Sequence, residues 1–365
     1  MKLPLERMVF FVAYTLNEKI RNLEPYQPIE GDYRVRLDAN ESFLRLPAEQ
    51  FESAALDVLN NRINRYPDPY AEKLCGAFGD FYDIKSCYVT AGNGSDELIS
   101  LITGAFFMPG EELVTLANDF SMYRFYGSVY GVKTSIFPKR DDLTVDVDAL
   151  AEYINRSGAK GLIFSNPCNP TSLCLDRRQV LRLIESVPDC LVIVDEAYMD
   201  FADESILDKV HHYENLIVLK TCSKAVGLAA IRLGFAVAGD TITKALRAVK
   251  SPYNVNDMTQ SIGYQILSDG EYVVNCIEKI IRSRDSLYNG ILGLHMRHKV
   301  FDMVYPTTTN FVFIKTPCAQ YIYEELLDRS IAIRCMGDYL RITAGSKVEN
   351  EAVLDALEEI MADME

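Results

Sequence analysis

A lysine and an aspartate that each follow a short apolar run have the clearest capacity for chemistry. Lys224 comes shortly after the run 216–219, and Asp195 directly follows the run 191–194. A lysine on its own is usually a solvated surface residue. Because a segment rich in Gly and Ala follows Lys224, we expect partial burial, which would lower the pKa of its amine and activate it as a nucleophile.

Asp195 is followed three residues later by Tyr198. An aspartate at the end of a strand could simply cap a helix. Together, however, a carboxylate and a phenol at this spacing can converge on one planar ligand and hold it at two edges of a ring.

The segment Ala91 to Glu97 lies between an apolar run and a helical pattern that begins near Glu97, and it contains Gly92 and Gly94. Glycines let backbone amides approach an anion, and the start of a helix adds partial positive charge, so a phosphate would fit here. An ordinary turn with an Asp cap remains the alternative. The residue at position 97 is Glu, so the segment lacks the G-x-G-x-x-G fingerprint of dinucleotide-binding proteins.

Two Asn-Pro pairs occur in the segment Ser165 to Thr171. Each proline restricts the preceding asparagine to extended conformations and so fixes the direction of its side chain. Such an amide is a good partner for a ligand hydroxyl, although a simple turn is the more common role of Asn-Pro.

The elements that position these residues are predicted from a rhythm of short β-branched runs and helical patterns. This rhythm predicts an α/β fold in which a mostly parallel seven-stranded sheet is covered by helices on both faces. Ligands bind at the carboxyl ends of strands in such sheets, where the segments described above lie. The predicted strands are 87–90, 112–116, 134–137, 161–165, 191–194, 216–219 and 235–238.

A second, smaller α/β domain is predicted beyond a change of pattern at 251–256. Its strands are expected at 303–314, 331–334 and 339–343, after a long helical stretch at 258–294, and its closing helix at 353–364. We assign residues 46–256 to the large domain, and residues 1–45 and 257–365 to the small domain with the N-terminal segment.

Composition limits the possible partners. The 365 residues carry a net charge of −15, which disfavours nucleic acid but still permits a small anionic ligand in a local pocket. The nine cysteines lack zinc-site spacing, so no metal site is expected, and they indicate reduced thiols in a cytoplasmic protein. The apolar stretch 8–16 is too short to span a bilayer and is interpreted as a helix face or a partner contact.

Taken in order along the chain, these segments resemble the aspartate-aminotransferase-like fold type I family of pyridoxal-5′-phosphate (PLP) enzymes. The resemblance covers nearly the whole chain and is strongest to the histidinol-phosphate aminotransferase branch. The segments that carry the branch resemblance are 20–26 (IRNLEPY), 37–41 (LDANE), 64–69 (NRYPDP) and 340–345 (LRITAG).

The resemblance implies a role for each matching residue. Lys224 would form the Schiff base with PLP and move the substrate Cα proton, and Asp195 would pair with the pyridine nitrogen. Asn169 and Tyr198 would hydrogen-bond the 3′-oxygen of the cofactor, and Phe120 would stack on its ring.

The same resemblance places the cofactor phosphate and the substrate. Gly94 and Ser95 would offer backbone amides to the phosphate, and Tyr66 would reach the cofactor of a partner subunit, which implies a homodimer with shared sites. The other predicted phosphate ligands are Thr221, Ser223 and Arg232. The predicted substrate-binding residues are Arg341, as a clamp for a carboxylate or phosphate, with Arg334, Tyr26 and Asn40.

Three departures from the family pattern bear on the substrate. Ser172 stands where the family has Gly, Phe120 replaces a common Tyr, and only six residues separate Arg334 from Arg341. The sequence nevertheless predicts an enzyme that transfers an amino group, with glutamate as donor and imidazole acetol phosphate as acceptor. A broad aromatic aminotransferase or a threonine-phosphate decarboxylase is the alternative on the same fold. A non-catalytic PLP-fold regulator and a nicotinamide-dependent dehydrogenase are disfavoured.

Overall fold

The protein is described here from a computed structural model that covers residues 14–21, 23, 28–60 and 64–364. The helices are α1 (Glu18–Arg21), α2 (Ala48–Asn60), α3 (Glu72–Tyr82), α4 (Ser95–Phe106), α5 (Met122–Tyr130), α6 (Val147–Ser157), α7 (Arg177–Ser186), α8 (Asp240–Val249), α9 (Asp257–Ser268), α10 (Gly270–His298), α11 (Ala319–Asp328) and α12 (Lys347–Met364). The strands are β1 (Val35–Arg36), β2 (Val89–Gly92), β3 (Glu112–Leu116), β4 (Lys133–Phe137), β5 (Gly161–Ser165), β6 (Leu191–Asp195), β7 (Leu216–Thr221), β8 (Gly234–Ala238), β9 (Met303–Val304), β10 (Phe311–Lys315), β11 (Ile331–Ala332), β12 (Arg334–Met336) and β13 (Tyr339–Thr343).

The predicted large sheet is confirmed, with seven strands in the order β2-β8-β7-β6-β5-β3-β4. Strand β8 runs antiparallel to β2 and β7, and the remaining pairs are parallel. Successive side chains of a strand point to opposite faces, and in β6 Val192 and Val194 pack into one buried cluster while Ile193 packs into another. This two-sided burial explains the nearly continuous apolar runs in the sequence.

Polar residues end the central strands at one edge of this sheet. Ser165 of β5 lies beside Asp195 of β6 in the parallel register, and Asp195 lies beside Leu219 of β7. The chain then continues from β7 to Lys224. The strand register therefore brings three of the predicted segments together at the carboxyl edge.

The small sheet has four antiparallel strands in the order β12-β13-β10-β9. The predicted single strand 303–314 is wrong, because β9 and β10 are separated by a segment that contains Pro306, which cannot donate a ladder hydrogen bond. The predicted strand 331–334 is likewise divided between β11 and β12. β11 pairs in parallel with β1, and the assignment of the N-terminal segment to the small domain remains a prediction.

The predicted long helical stretch is two helices, α9 and α10, that meet at Asp269. Ile262 and Ile266 of α9 pack into the same buried cluster as the large sheet, whereas Leu287 and Ile291 of α10 pack with the small sheet. The assigned boundary between residues 256 and 257 remains a prediction. The packing favours a boundary within α10.

The predicted closing helix 353–364 begins earlier, at Lys347. The apolar stretch 8–16 lies outside the described residues up to position 13, and Tyr14 and Leu16 are exposed. Within the part of the chain that the structure describes, no helix has both the length and the apolar character needed to cross a membrane.

Candidate active site

A cavity of about 870 Å³ lies at the carboxyl edge of the large sheet and is also lined by residues of the small domain. Most of the predicted site residues line it. They are Asn40, Ser95, Phe120, Asn169, Asp195, Tyr198, Thr221, Ser223, Lys224, Arg232, Arg334 and Arg341. Tyr66 does not line this cavity, and Tyr26 lies outside the described residues.

Lys224 extends from the segment after β7 into the cavity, where its Nζ donates a hydrogen bond to the Ala39 carbonyl at 3.0 Å. The same Nζ lies 5.9 Å from the centroid of the Tyr198 ring. Burial, together with the nearby positive charge of Arg341, lowers the pKa of the Lys224 amine from 10.5 to about 8. The amine can therefore lose its proton near neutral pH and serve as a nucleophile or a base.

Asp195 is only 4% exposed at the end of β6. Its carboxylate accepts hydrogen bonds from the Tyr123 hydroxyl at 2.8 Å and the Ala197 amide at 3.1 Å. Burial nevertheless raises the pKa of Asp195 to about 7. A buried carboxylate held in this way fits a protonated ring nitrogen, whose positive charge would stabilise the ionised form.

Sequence reasoning missed Tyr123, which is completely buried on α5. Its ring meets the ring of Phe120 edge to face, with centroids 5.5 Å apart. Phe120 precedes α5, so the signal that could have found Tyr123 is the short spacing of three residues between the two aromatic side chains. The two aromatic residues thus place a ring in the cavity and a hydroxyl on Asp195.

Tyr198 is buried, and its hydroxyl accepts a hydrogen bond from the Asn40 amide at 2.7 Å. Burial raises the pKa of Tyr198 to about 12, so the phenol remains protonated. The other end of the Asn40 amide accepts a hydrogen bond from Thr343. The predicted contact of Asn40 with substrate remains a prediction, but its amide is already engaged within the protein.

The start of α4 forms one end of the cavity, together with Arg232. Gly94 has a φ of +84°, which favours glycine, and a Cβ atom added there would lie 2.7 Å from Arg232 Nη2. The amide of Gly94 donates to the Gly92 carbonyl at 2.9 Å in this structure, and its predicted contact with a phosphate stays a prediction. Ser95, the first residue of α4, provides the helix terminus, so the helix begins two residues before the predicted Glu97.

The buried hydroxyls of Thr221 and Ser223 lie 3.1 Å apart at the same end. Arg232 Nη2 lies 3.6 Å from the Asp96 carboxylate, and the Arg232 side chain is 44% exposed. A helix terminus, two hydroxyls and a guanidinium form a donor set that fits a phosphate ester.

Arg341 of β13 is fixed by two hydrogen bonds. Its Nη1 donates to Asn169 Oδ1 at 2.6 Å, and its Nη2 donates to the Asp38 carbonyl at 2.7 Å. Arg334 is its direct partner in the antiparallel register of β12 and β13, so the two side chains lie on the same face of the sheet. Two guanidinium groups on one face of the cavity suit a substrate with more than one anionic group.

Ser172, which replaces the family's glycine, has a φ of +62°. Its hydroxyl lies 2.7 Å from the Thr309 hydroxyl and accepts a hydrogen bond from the Thr308 amide at 3.0 Å. These bonds join the Asn-Pro segment of the large domain to the small domain. They offset the strain of a left-handed conformation at a residue other than glycine.

Tyr66 is 81% exposed, and its ring stacks on Tyr253 with centroids 4.6 Å apart. It borders a second cavity of about 380 Å³. Within this subunit it is therefore separate from the main cavity.

Together, the fold and the cavity define a fold type I PLP enzyme. The family model for aminotransferase class I and II matches residues 35–359. The chain therefore belongs to the class I and II aminotransferase family, whose members use PLP as cofactor.

Two curated relatives are similar over nearly their full lengths. The histidinol-phosphate aminotransferase of Clostridium novyi is 41% identical over 345 residues, which cover 93% of this chain and 95% of the relative. That of Clostridium kluyveri is 39% identical over 349 residues, covering 94% and 98%.

A solved structure supports the fold. The histidinol-phosphate aminotransferase from Sinorhizobium meliloti, in complex with PLP, matches with a TM-score of 0.86 over 97% of this chain and 100% of that chain. At 22% sequence identity, this likeness concerns the fold alone.

Proposed function

We propose that the protein is a histidinol-phosphate aminotransferase of histidine biosynthesis. It would reversibly convert imidazole acetol phosphate and glutamate to histidinol phosphate and 2-oxoglutarate. The observation that carries this proposal is the 39% to 41% identity to curated enzymes of that name over nearly the full length of both chains. The hydrogen-bond donors that line the cavity suit a cofactor phosphate and the anionic substrates of that reaction.

The cofactor, when bound, supplies an electron-withdrawing ring that stabilises negative charge at the substrate Cα. Asp195 would hold the proton on the ring nitrogen, and Tyr198 and Asn169 would hold the 3′-oxygen. Phe120 would pack against the ring face. The phosphate would lie among the Ser95 amide, the Thr221 and Ser223 hydroxyls and the Arg232 guanidinium, all of which can donate hydrogen bonds to an anion.

Lys224 would attach the cofactor covalently and, once released, would move the proton of the substrate Cα to the cofactor. Its pKa of about 8 lies near working pH, which is where a group that both accepts and donates a proton is most effective. The Ala39 carbonyl, at 3.0 Å, holds the free amine inside the cavity. The free amine therefore stays close to the position where the cofactor and substrate would bind.

Arg341 would bind the anionic group nearest the reacting carbon, either the carboxylate of glutamate or the phosphate of the amino alcohol. Arg334, on the neighbouring strand, would bind the second carboxylate of glutamate, and Tyr26 is a further candidate for the substrate phosphate. A single pair of arginines can thus bind the amino donor and the acceptor in turn, because each guanidinium can donate two parallel hydrogen bonds to a carboxylate or a phosphate.

A half-reaction screen tests the substrate assignment. Histidinol phosphate, glutamate, phenylalanine and threonine phosphate are added one at a time to the PLP form, and loss of the visible band of the aldehyde form is followed. We expect fast conversion with histidinol phosphate and glutamate. We expect Arg341→Ala to weaken apparent binding of both by about 2 to 5 kcal/mol, because a desolvated anion loses its bidentate partner.

Rapid conversion of phenylalanine together with inert histidinol phosphate would contradict the substrate assignment and favour an aromatic aminotransferase. Release of carbon dioxide from threonine phosphate would favour the decarboxylase.

We also propose that the protein forms a homodimer in which Tyr66 contacts the cofactor phosphate of the partner subunit. The exposed Tyr66 side chain stacks on Tyr253, and Met258 nearby in the sequence is 52% exposed. Large exposed apolar and aromatic side chains of this kind are typical of protein interfaces. The Tyr66 hydroxyl would have no role in its own subunit's cavity.

A complementation assay tests this arrangement. Tyr66→Ala and Lys224→Ala chains are unfolded and refolded together, and the mixture is assayed. In a mixed dimer one site carries both substitutions and the other carries neither, so we expect recovery to about one quarter of the wild-type activity. Recovery no greater than the sum of the two separate variants would contradict shared sites.

We propose a cytoplasmic location. All nine cysteines are free thiols, which is the usual state of cysteine in a reducing compartment.

A further inference from the structure

Three consecutive residues of the N-terminal segment contact three groups of the active site. The Asp38 carbonyl accepts a hydrogen bond from Arg341, the Ala39 carbonyl accepts one from Lys224, and the Asn40 side chain donates one to Tyr198. Asn40 is the member of this segment that acts through its side chain. It is 1% exposed, so water does not compete for its amide.

The orientation of the Asn40 amide follows from Thr343. The Thr343 hydroxyl accepts a hydrogen bond from the Asn40 backbone N–H at 3.1 Å, and it lies 3.1 Å from Asn40 Oδ1. Its single proton is available for Oδ1, which accepts it in this structure. The Nδ2 group then faces Tyr198 as a donor. The Asn40 carbonyl is held by Asn310 Nδ2 at 3.1 Å, so the backbone is fixed as well.

This orientation decides what the Tyr198 hydroxyl can do. One of its lone pairs accepts the Asn40 N–H at 2.7 Å, and no described residue accepts its proton. The phenol lines the cavity, so its O–H is left to donate toward a ligand there. Since burial raises the pKa of Tyr198 to about 12, this proton is retained throughout the working pH range.

We propose that Asn40 is a positioning residue that directs the Tyr198 hydroxyl proton toward the 3′-oxygen of the cofactor. This inference rests on the proposed function and deepens it. Thr343 lies two residues after Arg341 on β13, so the strand that carries the substrate clamp also carries the hydroxyl that orients Asn40. The predicted substrate clamp Arg341 and the residue that orients Asn40 therefore lie on the same strand.

A spectroscopic titration tests the proposal without measuring activity. The visible band of the PLP-loaded protein is titrated with pH in Asn40→Asp, whose carboxylate would accept the phenol proton and turn it away from the cofactor. We expect the titration midpoint to rise by about one pH unit, the equivalent of one lost hydrogen bond. Asn40→Gly is the matched control. It tolerates the φ of +54° at this position and leaves the phenol free to donate, so we expect less than half that rise.

The Tyr198→Phe background separates positioning from a charge effect. In protein that already carries Tyr198→Phe, we expect Asn40→Asp to shift the midpoint by less than half as much as it does in protein that retains Tyr198. Equal shifts in the two backgrounds, or a larger shift in Asn40→Gly than in Asn40→Asp, would overturn the proposal. Should Asn40→Asp not fold, Thr343→Val takes its place, with the same direction expected and the same dependence on Tyr198. A wild-type protein that develops no visible band would refute the proposed function instead.

Discussion

Lys224→Ala should abolish the visible band of the PLP-loaded protein and lower the transamination rate by roughly 10³- to 10⁴-fold. The substitution removes the amine that attaches the cofactor and carries the proton. Activity is measured with histidinol phosphate and 2-oxoglutarate, and the spectrum is measured on the same sample. Lys244→Ala, on the exposed side of α8, is the control and should leave both properties unchanged.

The competing amine is Lys220, a buried residue of β7 that lies four residues before Lys224 in the chain. Its Nζ lies 2.7 Å from the Asp200 carboxylate, and it does not line the cavity. Its charge is therefore satisfied within the protein, and we expect it to take no part in the chemistry. A visible band that persists in Lys224→Ala would mean that the assignment of the amine is wrong.

Asp195→Asn should lower the rate by about 10²- to 10³-fold, because an amide cannot supply the negative charge that keeps the ring nitrogen protonated. The two side chains have nearly the same shape, so folding should be preserved. Steady-state kinetics should show the loss mainly in kcat. A decrease of less than about tenfold would contradict the pairing of Asp195 with the ring nitrogen.

The same substitution should have the opposite effect on the stability of the cofactor-free protein. The pKa of Asp195 is about 7 in the folded state and 3.8 in its ordinary state, so the folded protein binds this proton more tightly. The stabilisation is complete below about pH 4 and is lost as pH rises toward about 7. Thermal unfolding across this window should show a larger loss of stability in the wild type than in Asp195→Asn. Exposed Asp189→Asn is the control.

Much of the large domain could be predicted because its strands are buried on both faces. β3 and β5 begin and end where their apolar runs do, and the polar residues at the strand ends locate the cavity. The small domain was harder to predict. Its apolar run at 303–314 is interrupted around Pro306, and the run at 331–334 divides between two sheets, which periodicity alone cannot reveal.

The hydrogen bonds within the site could not be predicted from local sequence. Asn40 and Tyr198 are 158 residues apart in the chain, and Arg341 and Asp38 are 303 residues apart, so only the packing of the domains brings them together. The Gly94 amide is a different case. We expected its N–H to face a phosphate, but in the structure the turn uses this N–H for its own hydrogen bond, and the φ of +84° at this position favours glycine.

The most direct test of the central claim is to identify the lysine that borohydride reduction joins to the cofactor. The PLP-loaded protein is reduced and digested, and the labelled peptide is sequenced by mass spectrometry. We expect the label at Lys224, and we expect addition of histidinol phosphate before reduction to prevent it. A label at Lys220 or another lysine, or no label at all, would contradict the account.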